Sequence, residues 1–217
     1  MAIPLRTKVS IILSMIKEPK VFKFLISQRH AGYLYTQGWF NSFKSNSPVD
    51  KNNKPIPWMT YSFIDFIKDR LNNELTVFEF GTGNSTLFFA ERVKKVVAVE
   101  HNKEWYENIK KKVPGNVLLY FKNLNQEYEN SISMKTKFDI IIVDGERRIE
   151  SITTSIREIK DNGILILDDS EREEYKKGIE CLKNAGFRLI DFWGIAPGTF
   201  FNKCTTIFYR DKNCIGI

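Results

Sequence analysis

Val77-Phe78-Glu79-Phe80-Gly81-Thr82-Gly83-Asn84-Ser85-Thr86 is the stretch on which the fold turns. An apolar run stops at two closely spaced glycines and passes into Asn84 and Ser85, residue types that open helices. The pattern reads as strand, tight turn and helix. Ligands of open α/β sheets gather at the carboxyl ends of strands. Gly81 and Gly83 let backbone approach a ligand with no Cβ in the way. The helix start at Asn84-Ser85 offers free N–H groups to a carboxylate.

Several cofactors could use such a loop, and three details choose among them. Glu79 stands two residues before the first glycine, where a pyrophosphate would be repelled and an ammonium group welcomed. Thr86 occupies the position of the third glycine in the dinucleotide fingerprint. A second apolar run ends in Glu100, and a carboxylate there can accept hydrogen bonds from both ribose hydroxyls; His101 beside it either lies along a base or is simply exposed. Thr82 completes the loop.

Outward from this stretch, residues 74 to 210 alternate strand-like and helical runs, the signature of a parallel α/β sheet. Strands are expected at Leu75–Phe80, Lys95–Glu100, Asn116–Phe121, Phe138–Asp144 and Gly163–Asp168. Phe187–Trp193 and Thr205–Arg210 form a late pair, read as antiparallel. Helices follow Asn84, Asn102 and Glu146, the last with Ile149, Ile152, Ile156 and Ile159 as its sheet-facing stripe and Asn162-Gly163 as its end. A helix from Ser170 to Ala185 is capped by Ser170 and closed by Gly186.

Residues 1–73 differ in texture and form an N-terminal helical extension or cap on a 74–217 domain. Ile3–Ser27 is basic and amphipathic, holds Val9, Ile11, Ile12, Met15 and Ile16, and is divided by Pro19. It can pack as a cap or lie on a membrane surface. Residues 41 to 57 contain Pro48, Pro55 and Pro57 and read as a loop. A helix from Tyr61 to Leu71 with Thr60 as N-cap follows.

The 217 residues suffice for a substantial core, and 42% hydrophobic with 27% charged is a globular composition. The net charge of +7 sits on scattered lysines without interleaved aromatics, so no strong nucleic-acid signal emerges. Three widely separated cysteines, Cys181, Cys204 and Cys214, favour neither a disulfide framework nor a zinc site and fit a cytoplasmic location. No signal-peptide pattern or membrane-spanning run is read.

These residues together resemble the class I S-adenosylmethionine (SAM)-dependent methyltransferases. Val77–Ser85 matches the family's first motif, Val97-Ala98-Val99-Glu100 its ribose-binding strand, and Phe138–Asp144 its fourth-strand motif. The resemblance implies a doubly wound, mostly parallel seven-stranded sheet of order 3-2-1-4-5-7-6 with the last strand antiparallel. It implies SAM as cofactor, held by Glu79, Gly81, Thr82, Gly83, Asn84, Ser85, Glu100, His101 and Asp144. Lys122-Asn123 stands where the family often has an acidic or polar pair near adenine.

Strand four ends at Asp144 and strand five at Asp168-Asp169, neighbours in this order. Three carboxylates so close repel one another unless a cation or proton intervenes. One solution is Mg²⁺ or another divalent cation on Asp144, Asp168 and Asp169, which resembles the metal-dependent catechol and caffeoyl-type O-methyltransferases. In a metal-free route Asp144 or Asp168 is the general base, with Arg147 and Arg148 holding an anionic substrate group. In a third reading these residues only cap and pair. The Asn-Pro-Pro-Tyr element of amine methylation is absent, so O-methylation of a small-molecule or glycan hydroxyl is expected, with Trp58, Tyr61 and Trp193 walling the acceptor. Pro57-Trp58-Met59-Thr60-Tyr61 and the stretch from Val99 to Tyr106 also resemble methyltransferase-like proteins of polysaccharide gene clusters. An NAD-dependent oxidoreductase and a non-catalytic binding module of the same fold are the alternatives.

Overall fold

The computed structural model describes residues 10, 13, 15, 17–124, 126–134 and 136–217. Its centre is one seven-stranded sheet in the order β3-β2-β1-β4-β5-β7-β6. The strands are β1 Thr76–Phe80, β2 Lys95–Glu100, β3 Val117–Phe121, β4 Phe138–Val143, β5 Ile159–Asp168, β6 Arg188–Gly194 and β7 Lys203–Tyr209. Neighbours from β3 through β5 pair in parallel, whereas β7 is antiparallel to both β5 and β6. The order, the direction of β7 and the seven strands all match the sequence-based expectation.

Continuous apolar runs of this kind form central strands because both sheet faces are covered. Every residue of β4 is buried. Alternate side chains feed two core layers. Val77, Ile140, Ile142, Ile164 and Ile207 face one side with Phe63, Phe88 and Phe89. Phe78, Phe80, Ile141, Val143 and Leu165 face the other with Ile152 and Leu182.

The helices are α1 Pro19–Ser27, α2 Tyr33–Thr36, α3 Trp39–Ser45, α4 Tyr61–Lys68, α5 Asn84–Ala90, α6 Lys103–Lys110, α7 Gln126–Glu129, α8 Arg148–Glu158 and α9 Lys176–Asn184. Several boundaries differ from expectation. The isoleucine stripe of α8 stops at Glu158, because Ile159 is taken into β5 opposite Phe138 before an irregularity shifts the register to Ile140–Ile164. Ser170 caps nothing: its hydroxyl donates to the Cys204 carbonyl, and a 3-10 turn at Glu173–Tyr175 precedes α9. Gly186, at φ +82°, closes that helix as expected. Residues 41 to 45 belong to α3, and the loop starts only at Asn46. Thr60 stands at the N-cap of α4, but its hydroxyl donates to the Phe192 carbonyl instead of a helix N–H.

Two parts of the N-terminal extension behave differently. Trp39, Ile56, Met59, Tyr61 and Phe63 share the core layer of the sheet itself. By contrast, no residue of α1 is buried, so α1 is not the packed cap. Val9, Ile11, Ile12 and Ile16 of the expected first helix lie outside the described residues. No helix among the described residues is long and apolar enough to cross a membrane.

Candidate active site

β1 sits where the strand order reverses, so the crevice at the carboxyl ends of β1 and β4 is the place for a ligand. The turn after β1 is built for it. Gly81 has φ +88°, and a Cβ there would meet the Gly145 backbone at 3.1 Å. Gly81 therefore brings the β1 and β4 turns together rather than lining the crevice. Gly145 is held as tightly, since a Cβ on it would fall 2.0 Å from the Tyr128 hydroxyl and 2.9 Å from the Gly81 nitrogen. Gly145→Ala is expected to cost about 1–3 kcal/mol of stability by overpacking, read as a lowered urea midpoint with unchanged slope. A midpoint equal to wild type would show that Tyr128 moves freely.

Glu79 is 1% exposed. One carboxylate oxygen accepts the Ser85 hydroxyl and the other the Thr86 hydroxyl, each at 2.5 Å. Thr86 in turn accepts the Gly83 N–H at 3.0 Å. Glu79 thus organises the loop from behind and presents no oxygen to a ligand, a correction to its expected direct contact. Burial pushes its carboxyl up to about 7, against the opposing pull of the two hydroxyls. Glu100 ends β2 with one oxygen accepting the His101 and Asn102 N–H groups and the other accepting the Thr82 hydroxyl at 2.9 Å. His101 Nδ1 lies 3.3 Å from Glu100.

A cleft of about 130 Å³ opens along this loop, lined by Thr82, Gly83, Asn84, Ser85 and Asp144, with Trp58 and Trp105 as aromatic walls. Trp105 Nε1 donates to the Thr82 carbonyl at 2.6 Å. The Asn84 amide donates to Ser47 and to the Pro48 carbonyl, which draws the N-terminal loop over the cleft. A second cavity of about 430 Å³ adjoins it, lined by Asp168, Asp169, Arg172, Thr199, Phe201 and Lys203 among others. Trp58 and Asp144 line both.

The three aspartates do converge, but their cation is part of the chain. Lys203, 6% exposed, directs its ammonium at Asp168 Oδ2 (2.5 Å), Asp169 Oδ1 (2.6 Å) and the Trp58 carbonyl (3.2 Å). Three donors meet three acceptors. Thr205 donates to the other Asp168 oxygen at 2.7 Å. Arg148 Nη2 contacts Asp144 Oδ1 at 3.1 Å, while its remaining nitrogens donate to the Gly145 and Asp168 carbonyls. A divalent ion on Asp144, Asp168 and Asp169 would have to displace this ammonium, so the residues present do not fit the expected metal; among the described residues no other cluster suits one.

The electrostatics follow. Burial raises Asp169, but Lys203, Arg148 and Arg172 hold it below the usual carboxylate range. Burial raises Asp168 despite Lys203 and Thr205. Burial and then the Asp168 charge push Asp144 up to about 8, with Arg148 and Lys203 pulling the other way.

Four expected acceptor residues are placed differently. Arg147, in a left-handed conformation at φ 52°, pairs with Glu129 at 3.2 Å and Glu150 at 3.6 Å. Arg148 is the brace just described and lies over the Tyr175 ring. Tyr61 is buried in the core, edge-on to Tyr33. Trp193 is exposed but lines a separate groove beyond Arg172. Trp58 alone of this group walls the site, its Nε1 donating to the Pro197 carbonyl at 2.9 Å. Lys203 and Arg172 were missed. No local pattern in the sequence marks either residue.

Residues 78–170 match a family model described as a methyltransferase domain. No curated protein matches the chain. Among solved structures, the chain is similar to a precorrin-6y C5,15-methyltransferase from Geobacter metallireducens (17% identity, 78% of this chain and 96% of that one, TM-score 0.58). It is also similar to a methyltransferase-like protein from Silicibacter pomeroyi (16%, 72% and 89%, TM-score 0.53). A precorrin 8w decarboxylase from Methanobacterium thermoautotrophicum shares the fold as well (17%, 68% and 87%, TM-score 0.52). Nothing supports the oxidoreductase alternative. Residues 78–170 are thus a methyltransferase domain by their match, and the sheet they help to build has the strand order of the Rossmann-like methyltransferase fold.

Proposed function

We propose that this enzyme methylates a hydroxyl oxygen of a small-molecule or glycan acceptor carrying an anionic group, without a divalent metal. The observation that carries the reading is Asp144, which lines both the cofactor cleft and the adjoining cavity. SAM would lie along this loop: Gly83 keeps a Cβ out of the smaller cleft, Thr82, Asn84 and Ser85 line it, and the Glu100 carboxylate, behind Thr82, holds the Thr82 hydroxyl in place. When bound, SAM supplies a methyl carbon on a positively charged sulfur leaving group. Asp144 takes the acceptor's hydroxyl proton as the oxygen–carbon bond forms and the carbon–sulfur bond breaks. A carboxylate raised to about 8 is a far better base near neutral pH than an ordinary one.

Arg172 sits on the wall of the larger cavity with half its side chain exposed, tied to Asp169 at 2.5 Å. Anchored this way, it is the cation available to a carboxylate or phosphate on the acceptor. Trp58 offers a ring face beside it. Three unpaired cysteines agree with a cytoplasmic setting.

The test is methyl transfer from labelled SAM to paired acceptors with and without an anionic substituent, in EDTA. Transfer is expected to survive EDTA. Arg172→Gln is expected to raise KM for anionic acceptors about 10- to 100-fold, the loss of one charge-assisted hydrogen bond, with kcat nearly unchanged. Equal losses on neutral and anionic acceptors would sink the role of Arg172. Absence of SAM and S-adenosylhomocysteine binding by calorimetry would sink the whole reading.

A further inference from the structure

The N-terminal extension carries a further, cationic cavity that shares no lining residue with either cleft of the active site. It encloses about 320 Å³ and is lined by Arg29, His30, Lys44 and Lys51, with Tyr35 and Asn41 between them. No acidic residue lines it. Among the described residues, Arg29, Lys44 and Lys51 form no ion pair with a carboxylate. Elsewhere the chain neutralises its buried cations closely, as at Lys203 and Arg148. An unneutralised group of cations around a concavity is an anion site waiting for its ligand.

The neighbouring helix says what kind of anion. α1 ends at Ser27, two residues before Arg29. It leaves Val21, Phe22, Phe24, Leu25 and Ile26 exposed, Phe24 to 64% and Leu25 to 55%. At 100° per residue, Val21, Phe22, Leu25 and Ile26 fall on one arc, with Phe24 at its margin; Lys20, Lys23 and Ser27 fall on the other. A wide apolar face backed by lysines is the geometry of a helix lying in a bilayer interface, its apolar side among the acyl chains and its lysines reaching to the headgroups. Phosphate alone would account for the cavity and leave the apolar face uncovered. An acidic partner protein would have no need of five adjacent apolar side chains on a helix with none buried.

We infer that α1 and the adjoining cationic cavity dock this enzyme on anionic membranes, with α1 in the interface and a lipid phosphate between Arg29, His30, Lys44 and Lys51. Arg29 follows α1 directly, so headgroup capture and helix insertion occur at one place. α3 joins this surface to the catalytic end. It carries Asn41 and Lys44 on the cavity, and Trp39, whose Nε1 donates to the Thr199 carbonyl on the acceptor cavity's wall at 2.8 Å.

The experiment is sedimentation of the full chain with vesicles of phosphatidylcholine, with and without phosphatidylglycerol. Binding is expected only to the phosphatidylglycerol vesicles and is expected to weaken as salt rises. Phe24→Glu with Leu25→Glu, and separately Lys44→Glu with Lys51→Glu, should each weaken partitioning by at least about tenfold. S-adenosylhomocysteine binding should be unchanged in both pairs, which shows that they remain folded. Equal binding to both vesicle types, no binding to either, or loss in only one of the two variants would overturn the inference. So would full competition by inorganic phosphate, which would make the cavity a free-anion site. A dimer in solution that disperses in Phe24→Glu/Leu25→Glu, with no vesicle binding, would assign the apolar face to a second copy instead.

Discussion

Asp144→Asn is expected to lower kcat by about 10²- to 10⁴-fold, the usual range for a positioned general base, while cofactor affinity changes little. Asparagine keeps the side-chain shape next to Arg148 but cannot take a proton. The pH profile separates this from a merely structural role. In the wild type the rate should climb as pH rises toward and through about 8, where Asp144 loses its proton. In the variant that limb should vanish. A variant that keeps the limb would assign it to another group and remove Asp144 from the chemistry.

The same raised value carries a stability consequence of definite sign. Between 3.8 and about 8 the folded protein retains a proton that the unfolded chain has released. Stability therefore falls as pH rises across that window, and Asp144→Asn should remove this part of the decline in urea midpoints. Catalytic basicity and a small structural cost come from one cause, a carboxylate placed among others in a partly closed site.

The largest expected loss of stability is in Lys203→Met. Lys203 and Asp168 are both buried, with Asp169 close behind, and removing the ammonium leaves two carboxylates facing each other. Breaking a buried pair from one side costs about 3–5 kcal/mol. For a chain of this size that is a fall in Tm of roughly 6–20 °C. Lys203 is raised above 10.5, so its contribution is full below that value and fades only as pH climbs past the raised one. Asp169 is lowered below 3.8, so its share is lost only in strong acid, below that value. The loss should accordingly be plain at neutral pH. Adding Asp168→Asn to Lys203→Met should restore part of it, because one uncompensated charge is removed; a double-mutant cycle measures that coupling. Mg²⁺ should protect the Lys203→Met variant more than the wild type, since only the variant exposes the aspartates to a metal. A Tm unchanged by Lys203→Met would contradict the buried-pair account.

Most of the scaffold could be read along the chain. The strands after Glu74 announce themselves by runs of Val, Ile and Phe, and the turn at Gly81 by the need for a positive φ. The misread boundaries at Ile159 and Ser170 share a cause. Both residues satisfy a local helical rule, yet Ile159 is claimed by Phe138 across the sheet and Ser170 by the β7 backbone. Arg147 and Arg148 show the limit of adjacency. One reaches Glu129 and Glu150, the other Asp144, because consecutive residues at a helix start point in different directions.

What the sequence by itself determined was the parallel sheet, the glycine turn on β1 and the acidic ends of β2, β4 and β5, all consequences of short-range pattern. Which cation quiets those acids was decided only by the tertiary structure. Lys203 lies 35 residues beyond Asp168 and reaches it because β7 returns antiparallel beside β5. The same return brings Thr205 to Asp168 and the segment from Ala196 to Phe201 around Trp58 and Arg172. Nothing local to Asn202-Lys203-Cys204 encodes that meeting. It is a property of the closed sheet, and it turns an expected metal site into an ion-paired wall beside the raised carboxylate of Asp144.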